Sequence, residues 1–300
     1  MKLDFDFSGV KIVEFGVGLD DGDDQTFRCV VVDSDIQAAL REMATATRKA
    51  MQELINKPPK YEPSEKYASL EYVHLPLDDD LAQRMRELYQ AHNLPIDGQA
   101  LSDPSRVFCY FARMTDKQGR RLTALRRATQ FKGVLKSRLI RLVTDALKLV
   151  EDQIFKLDAD FDLLIDSQHV HILRPSGFEF AGKLQDAVLA AVPKNIRAIE
   201  KDVKFVDFSS IQEYASEHSR AARYLASIRA QNMKNIDKGA LKKACKSTGV
   251  DIQEAKGKII VPEGSVMDFL EVLDRRRYEL ELVKGSPERF KAASRQRIDI

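Results

Sequence analysis

Nothing in this sequence is apolar for long enough to cross a membrane: runs free of charge, such as residues 187–192, fall far short of the ~20 residues a spanning helix requires. The three cysteines, Cys29, Cys109 and Cys245, are odd in number and far apart. That argues against a disulfide framework and fits reduced thiols, used as small core residues, in a cytoplasmic protein. The chain opens Met1, Lys2, Leu3, Asp4, Phe5, Asp6, with acids where a secretory signal carries positive charge, so no export is expected. No glycine-rich phosphate loop occurs. Gly16, Val17, Gly18 lacks the third glycine and the helix start of a dinucleotide fingerprint, which disfavours nucleotide hydrolysis. No serine stands in a nucleophile elbow, and no cysteine has a neighbouring histidine to activate it. These absences leave no catalytic residue and no cofactor to name.

What is present describes a folded protein of two domains. Its 300 residues exceed the usual single domain, and 44% hydrophobic with 31% charged residues is the composition of a globular chain rich in surface ion pairs. Residues 10–17 and 26–32 flank the turn-forming Asp20, Asp21, Gly22, Asp23, Asp24 and predict an antiparallel hairpin. Ile36, Leu40, Met43, Thr47, Met51 and Leu54 recur at helical spacing with Ser34 or Asp35 as N-cap, predicting a helix to about Asn56. Residues 57–64 hold three prolines and read as a connector, and 77–92 read as a second helix. A second hairpin joins 106–114 to 122–129 across a turn at 116–119. Leu135, Leu139, Leu142, Val143, Ala146 and Val150 fall on one helical face, predicting a helix over 135–150 with Arg138, Arg141 and Lys148 opposite. A third hairpin is read over 161–165 and 170–173, followed by a helix over 177–192.

The domain boundary is placed near Asp207, giving an N-terminal α+β domain of residues 1–207 and a C-terminal domain of 208–300. The C-terminal part should contain helices at 209–231 and 237–247, a strand at 258–261, a helix at 266–273 and a closing hairpin of 278–283 with 290–294. Two helices before a β-turn-β element is the order of a winged helix, although helical pairs precede strands in many folds. The fold class is α/β of the α+β kind, with antiparallel hairpins and packed helices.

The net charge of +2 is nearly neutral, but it is unevenly distributed. Residues 1–35 carry a net −6, residues 106–150 a net +10 and residues 219–248 a net +7, with Arg275, Arg276 and Arg277 beyond. A face bearing several cations binds duplex through counterion release without reading sequence, and arginine meets phosphate oxygens with a planar fork. The expected contacts are Arg120, Arg121, Arg126, Arg127, Lys132, Lys136, Arg138 and Arg141, extended by Lys242, Lys243 and Lys246. Against this stands a solvated basic face balanced by acids elsewhere in the fold, the acidic amino terminus first among them, or buried in a homodimer. Phe108, Tyr110, Phe111 and Phe131 could stack bases, but the strand through 107–111 is apolar on both faces and suits a core.

Two motifs bear on metal chemistry. His169 and His171, two apart on a strand, share a face near Asp162 or Asp166. That spacing is weak, and His74, His92 and His218 add no ligand spacing to it, so no metal site is assigned. Glu254, Ala255, Lys256 has the letters of a nuclease core, a triplet expected by chance in a chain rich in both residues.

The stretch Gln153, Ile154, Phe155, Lys156, Leu157, Asp158, Ala159, Asp160, Phe161, Asp162 resembles the KwaB-like family of bacterial proteins, as do residues 169–173 and Gly177, Phe178, Glu179. The run 269–278, with Gly285, Ser294 and Arg295, is similar to that family's end, so the likeness covers about residues 105–297. It implies a cytoplasmic, DNA-binding anti-phage effector of the Kiwa defence system, held at the inner membrane through a small membrane-embedded partner. No catalytic residue carries over. The combined expectation is a sequence-nonspecific DNA binder, working as a homodimer through backbone contacts. The alternatives are a metal-dependent nuclease and a protein-binding scaffold.

Overall fold

The computed structural model describes residues 3–20, 22, 25–55, 57–128, 156–231 and 233–292, and the backbone of 140–143 and 146–149. The chain divides into two compact units, one of Met1–Tyr61 with Tyr67–Leu184, the other of Glu62–Lys66 with Gln185–Ile300.

The first unit is built on an antiparallel sheet. Its elements are β1 (Val10–Asp20), β2 (Gln25–Val30), α1 (Ser34–Leu54), β3 (Val73–Pro76), α2 (Gln83–Gln90), β4 (Val107–Asp116), β5 (Arg121–Arg127), β6 (Ile140–Val143), β7 (Ala146–Leu149), β8 (Leu163–Ile165), β9 (His169–Ile172) and α3 (Pro175–Ala181). Among the described residues the sheet runs β2-β1-β4-β5-β8-β9-β3, with β3 on one edge. Val13, Phe15 and Val17 stand opposite Met114, Ala112 and Tyr110, so alternate residues of β1 and β4 share a face. Helix α1, capped by the Asp33 side chain, lays Leu40, Met43, Ala44 and Met51 on that face. The opposite face meets α2 and α3, where Arg113 bonds the Ala91 carbonyl and Arg127 lies over the Phe180 ring. A sheet covered on both sides explains why β4 is apolar in both registers, and Phe108, Tyr110 and Phe111 are core residues as expected.

The predicted hairpins at 10–32, 106–129 and 161–173 form. The helix predicted over 135–150 does not: residues 140–149 make the β6–β7 hairpin, with Arg141 opposite Lys148. Ile140, Leu142, Leu147 and Leu149 also alternate with period two, and over so short a stretch the helical and strand periods fit the same letters. The helix predicted over 77–92 is shorter, and β3 ahead of it was not foreseen.

The second unit contains α4 (Gln185–Ala190), α5 (Val192–Glu200), α6 (Ser209–Glu217), α7 (Ser219–Arg229), α8 (Lys238–Thr248), β10 (Gln253–Ala255), β11 (Lys258–Ile260), α9 (Val266–Leu273), β12 (Arg277–Val283) and β13 (Ser286–Lys291). The division falls after Leu184, ahead of Asp207, because Val188, Val192, Ile196 and Ile199 pack into one core with Ile211, Leu225, Leu241 and Phe269. The helix predicted over 177–192 is three helices, interrupted by Gly182, by Lys183 at φ 51° and by Pro193 in the first turn of α5. The helix predicted over 209–231 breaks at His218, whose backbone is extended and whose ring stacks on Tyr214 at 3.9 Å. The short β10–β11 hairpin turns through Lys256 and Gly257, both with positive φ.

Gly16, opposite Phe111 in the β1–β4 register, is a strand glycine with a packing reason. A Cβ there would lie 2.2 Å from the Phe111 ring and 2.6 Å from the Arg28 carbonyl oxygen. Gly16→Ala is expected to cost about 1–3 kcal/mol, read as a lowered urea midpoint with an unchanged slope.

Candidate functional site

Consecutive residues of a strand point to opposite faces, and this divides the cations of β5. Arg126 shares its face with Tyr110, while Arg121 and Arg127 point the other way. Below Arg126 the alternating Asp158, Asp160 and Asp162 converge. Its Nε donates to Asp158 at 3.1 Å, and its Nη1 to Asp162 at 2.7 Å and Asp160 at 3.4 Å. Arg174 adds a second guanidinium, 2.9 Å from Asp160 and 3.8 Å from Asp162. The Tyr110 hydroxyl donates to Asp158, and the Arg127 backbone N–H to Asp162. Burial opposes the Arg126 charge, but the Asp162 and Asp158 carboxylates more than offset it and hold its pKa above the ordinary value. Gly177 closes against this knot, where a Cβ would stand 2.3 Å from Asp162 Oδ2.

The other expected contacts are dispersed. Arg120, in the turn before β5, is paired with the buried Asp116 at 2.7 Å and with Asp4 of the acidic amino terminus. Arg113 is buried and paired with Glu14 at 3.1 Å, so acids of residues 1–35 neutralise part of the basic segment. Arg121 donates to the Tyr89 carbonyl, and the Arg127 guanidinium sits 3.8 Å from the Phe180 ring centroid. Lys132, Lys136 and Arg138 lie outside the described residues, and Arg141 is described in its backbone alone.

In the second unit, α8 runs from its Asp237 cap to Gly249 in the left-handed region, with Leu241 and Cys245 facing the core. Lys242, Lys243 and Lys246 fall on its exposed side. Lys242 and Lys238 share the Glu254 carboxylate, whose hydrogen bonds from these two ammonium groups hold its pKa down at about 2. Glu254 therefore acts as a counter-ion on the β10–β11 hairpin, and among the described residues it belongs to no cluster able to hold a metal. Lys243 and Lys246 have no acidic partner among the described residues. Two members of the Arg275–Arg277 run are tied down: Arg276 pairs with the buried Asp274 at 2.5 Å, and Arg277 with Asp268 and with the buried Glu271 at 3.9 Å.

A third grouping was only half visible beforehand. Strand β9 puts His169 and His171 on one face, and its pairing with β3 sets His74 opposite His171. His171 is fully buried, with Nδ1 2.8 Å from the Tyr72 hydroxyl and Nε2 3.0 Å from Asp166 Oδ2. Asp166 Oδ1 accepts from the Gln168 and His169 backbone N–H groups. Burial pushes the Tyr72 hydroxyl up to about 12, with the Asp166 charge adding to it. His74 lay beyond reach of spacing arguments, since only the strand pairing brings it there.

A family model described as Kiwa protein KwaB-like matches residues 107–282. The chain belongs to this family. The KwaB-like segment runs from β4 into β12 and contains the Asp158–Asp160–Asp162 knot, its Arg126 and Arg174 partners, and the Glu271–Asp274–Arg276–Arg277 cluster. KwaB-like membership makes the protein a component of a Kiwa anti-phage defence system. No curated protein and no solved structure matches the chain. Among the described residues no helix is long and apolar enough to cross a membrane.

Removing Arg126 would leave three carboxylates with Arg174 as their one guanidinium among the described residues. Arg126→Ala is expected to lower stability by about 3 kcal/mol, and Arg127→Ala, which loses an exposed ring contact, by about 1 kcal/mol or less. Parallel urea titrations compare the two, and equal costs would remove the knot from the account.

Proposed function

We propose that the protein is a DNA-binding effector of its Kiwa system, contacting the phosphate backbone without reading sequence and working beside a membrane-embedded partner. The observation that carries this reading is the exposed lysine face of α8, where Lys243 and Lys246 stand with no acidic partner among the described residues and Lys242 shares one. A lysine is a mobile point charge on a flexible stem, suited to following a phosphate chain rather than a base edge. Arg121 and Arg127 offer two further cations on one face of β5. Arg126 and Arg120, committed to aspartates, serve the fold in this reading.

A homodimer is part of the same proposal. The β12–β13 hairpin exposes Tyr278, Leu280, Leu282, Val283 and Phe290, and a two-stranded ribbon with an open apolar side gains from a partner. Leu280→Glu with Leu282→Glu is expected to shift the sedimentation coefficient to that of a monomer. An unchanged value would place any contact between copies elsewhere.

For DNA, the test is a salt-resolved binding curve on duplex and single-stranded oligonucleotides. Lys243→Glu with Lys246→Glu should weaken duplex binding alike on all sequences and flatten the slope of log K against log salt by about 2, one counterion per lost contact. Unchanged affinity and slope in the folded variant would remove this face. No affinity in the unaltered protein near physiological salt would favour a scaffold that docks an acidic protein.

A further inference from the structure

We propose that Asp166, His169 and His171 form a binding site for a divalent transition-metal ion of the zinc type, held by three protein ligands with a further position left to water. The inference is independent of the nucleic-acid reading. One donor atom from each of the three residues lies within 4.8 Å of the other two, the scale on which a single ion can draw them together. Two imidazoles and one carboxylate form a borderline donor set, suited to Zn²⁺ and neighbouring first-row ions rather than to Ca²⁺ or Mg²⁺, which prefer oxygen alone.

The supports of the three ligands fit this use. Asp166 Oδ1 is fixed by two backbone N–H groups, which leaves Oδ2 directed at His171 Nε2, 3.0 Å away. Without metal, an Nε2–H donates across that gap and Nδ1 accepts from the Tyr72 hydroxyl. With metal, the ring takes its other tautomer: Nδ1–H donates to the Tyr72 oxygen, and the Nε2 lone pair faces the ion. A hydroxyl both donates and accepts, so Tyr72 serves either state at 2.8 Å, the outer-shell role that hydrogen-bonded partners play around metal-bound histidines.

His169 is the independent observation. Its imidazole makes no hydrogen bond among the described residues; its ring meets only those of His74, at 5.7 Å between centroids, and His171, at 5.9 Å. It is partly exposed, giving an ion a route in. His74 is already oriented, with Nδ1 3.1 Å from the Pro58 and Pro59 carbonyls, and stands just outside the three-residue group.

The test uses the full chain after chelation and dialysis. Calorimetric titration with Zn²⁺ is expected to give one equivalent bound per chain, and Co²⁺ as a probe should develop the visible d–d bands of a low-symmetry site. His169→Ala, at the partly exposed ligand, is expected to weaken Zn²⁺ binding at least tenfold with an unchanged circular dichroism spectrum and metal-free melting temperature. His218→Ala, on the second unit, should leave binding as it was. The proposal fails if the unaltered protein binds no Zn²⁺ and gives no Co²⁺ spectrum, or if His169→Ala binds as tightly as the unaltered chain.

Discussion

The first unit depends on one electrostatic constraint: three carboxylates brought together at the sheet must be compensated. Asp158, Asp160 and Asp162 stand at alternate positions of the irregular, bent segment that leads into β8, and their side chains gather around Arg126 of β5. Carboxylates crowded out of water are tolerable only with cations and donors at hand. Arg126, Arg174, the Tyr110 hydroxyl and the Arg127 backbone N–H supply these, and Gly177 leaves room for the approach. The knot thereby ties β4, β5, the approach to β8 and the start of α3 to one point. A comparable arrangement in the second unit joins Glu271 and Asp274 of the α9 end to Arg276, Arg277 and Lys291.

This changes what the family signature means. Among the residues that carried the likeness, the Asp-x-Asp-x-Asp run and the stretch around Asp274 to Arg277 fold as ion-pair clusters within the matched segment. A diffuse motif of acids and arginines, with no nucleophile in it, is what a shared structural solution looks like in sequence. The residues left open to a partner, Lys243 and Lys246, lie instead on the solvent side of a helix, where nothing in the fold prescribes their identity.

Much of the architecture could be read before the structure was known. The hairpins at 10–32, 106–129 and 161–173 showed strand composition with turn residues between them, and α1 showed a clear 3.6-residue stripe. Errors came where one pattern admits two periods, as in 140–149, or where a helix breaks without proline or glycine, as at His218. The charge reading was accurate as a count and incomplete as a surface. Arg126 and Arg127 are adjacent in sequence yet belong to opposite faces, and Asp4 and Glu14 return from the amino terminus to neutralise Arg120 and Arg113. No spacing rule reaches across such distances. His74 is the same lesson in reverse: no spacing argument linked it to the histidines of β9, yet strand pairing sets it opposite His171.

The segment Glu62–Lys66 illustrates how the chain is threaded. It leaves the first unit after Tyr61, lends Glu65 to Arg229 and the Lys66 ammonium to Ser227, which lies 2.9 Å away, and returns at Tyr67. Arg229 also holds Asn195, so the loan reaches the joint of α5 and α7. Severing the polypeptide after Leu184 would consequently not release two complete halves. A fragment beginning at Gln185 would carry the Arg229 guanidinium without its carboxylate, and the remainder would keep a five-residue insert with nothing to clasp.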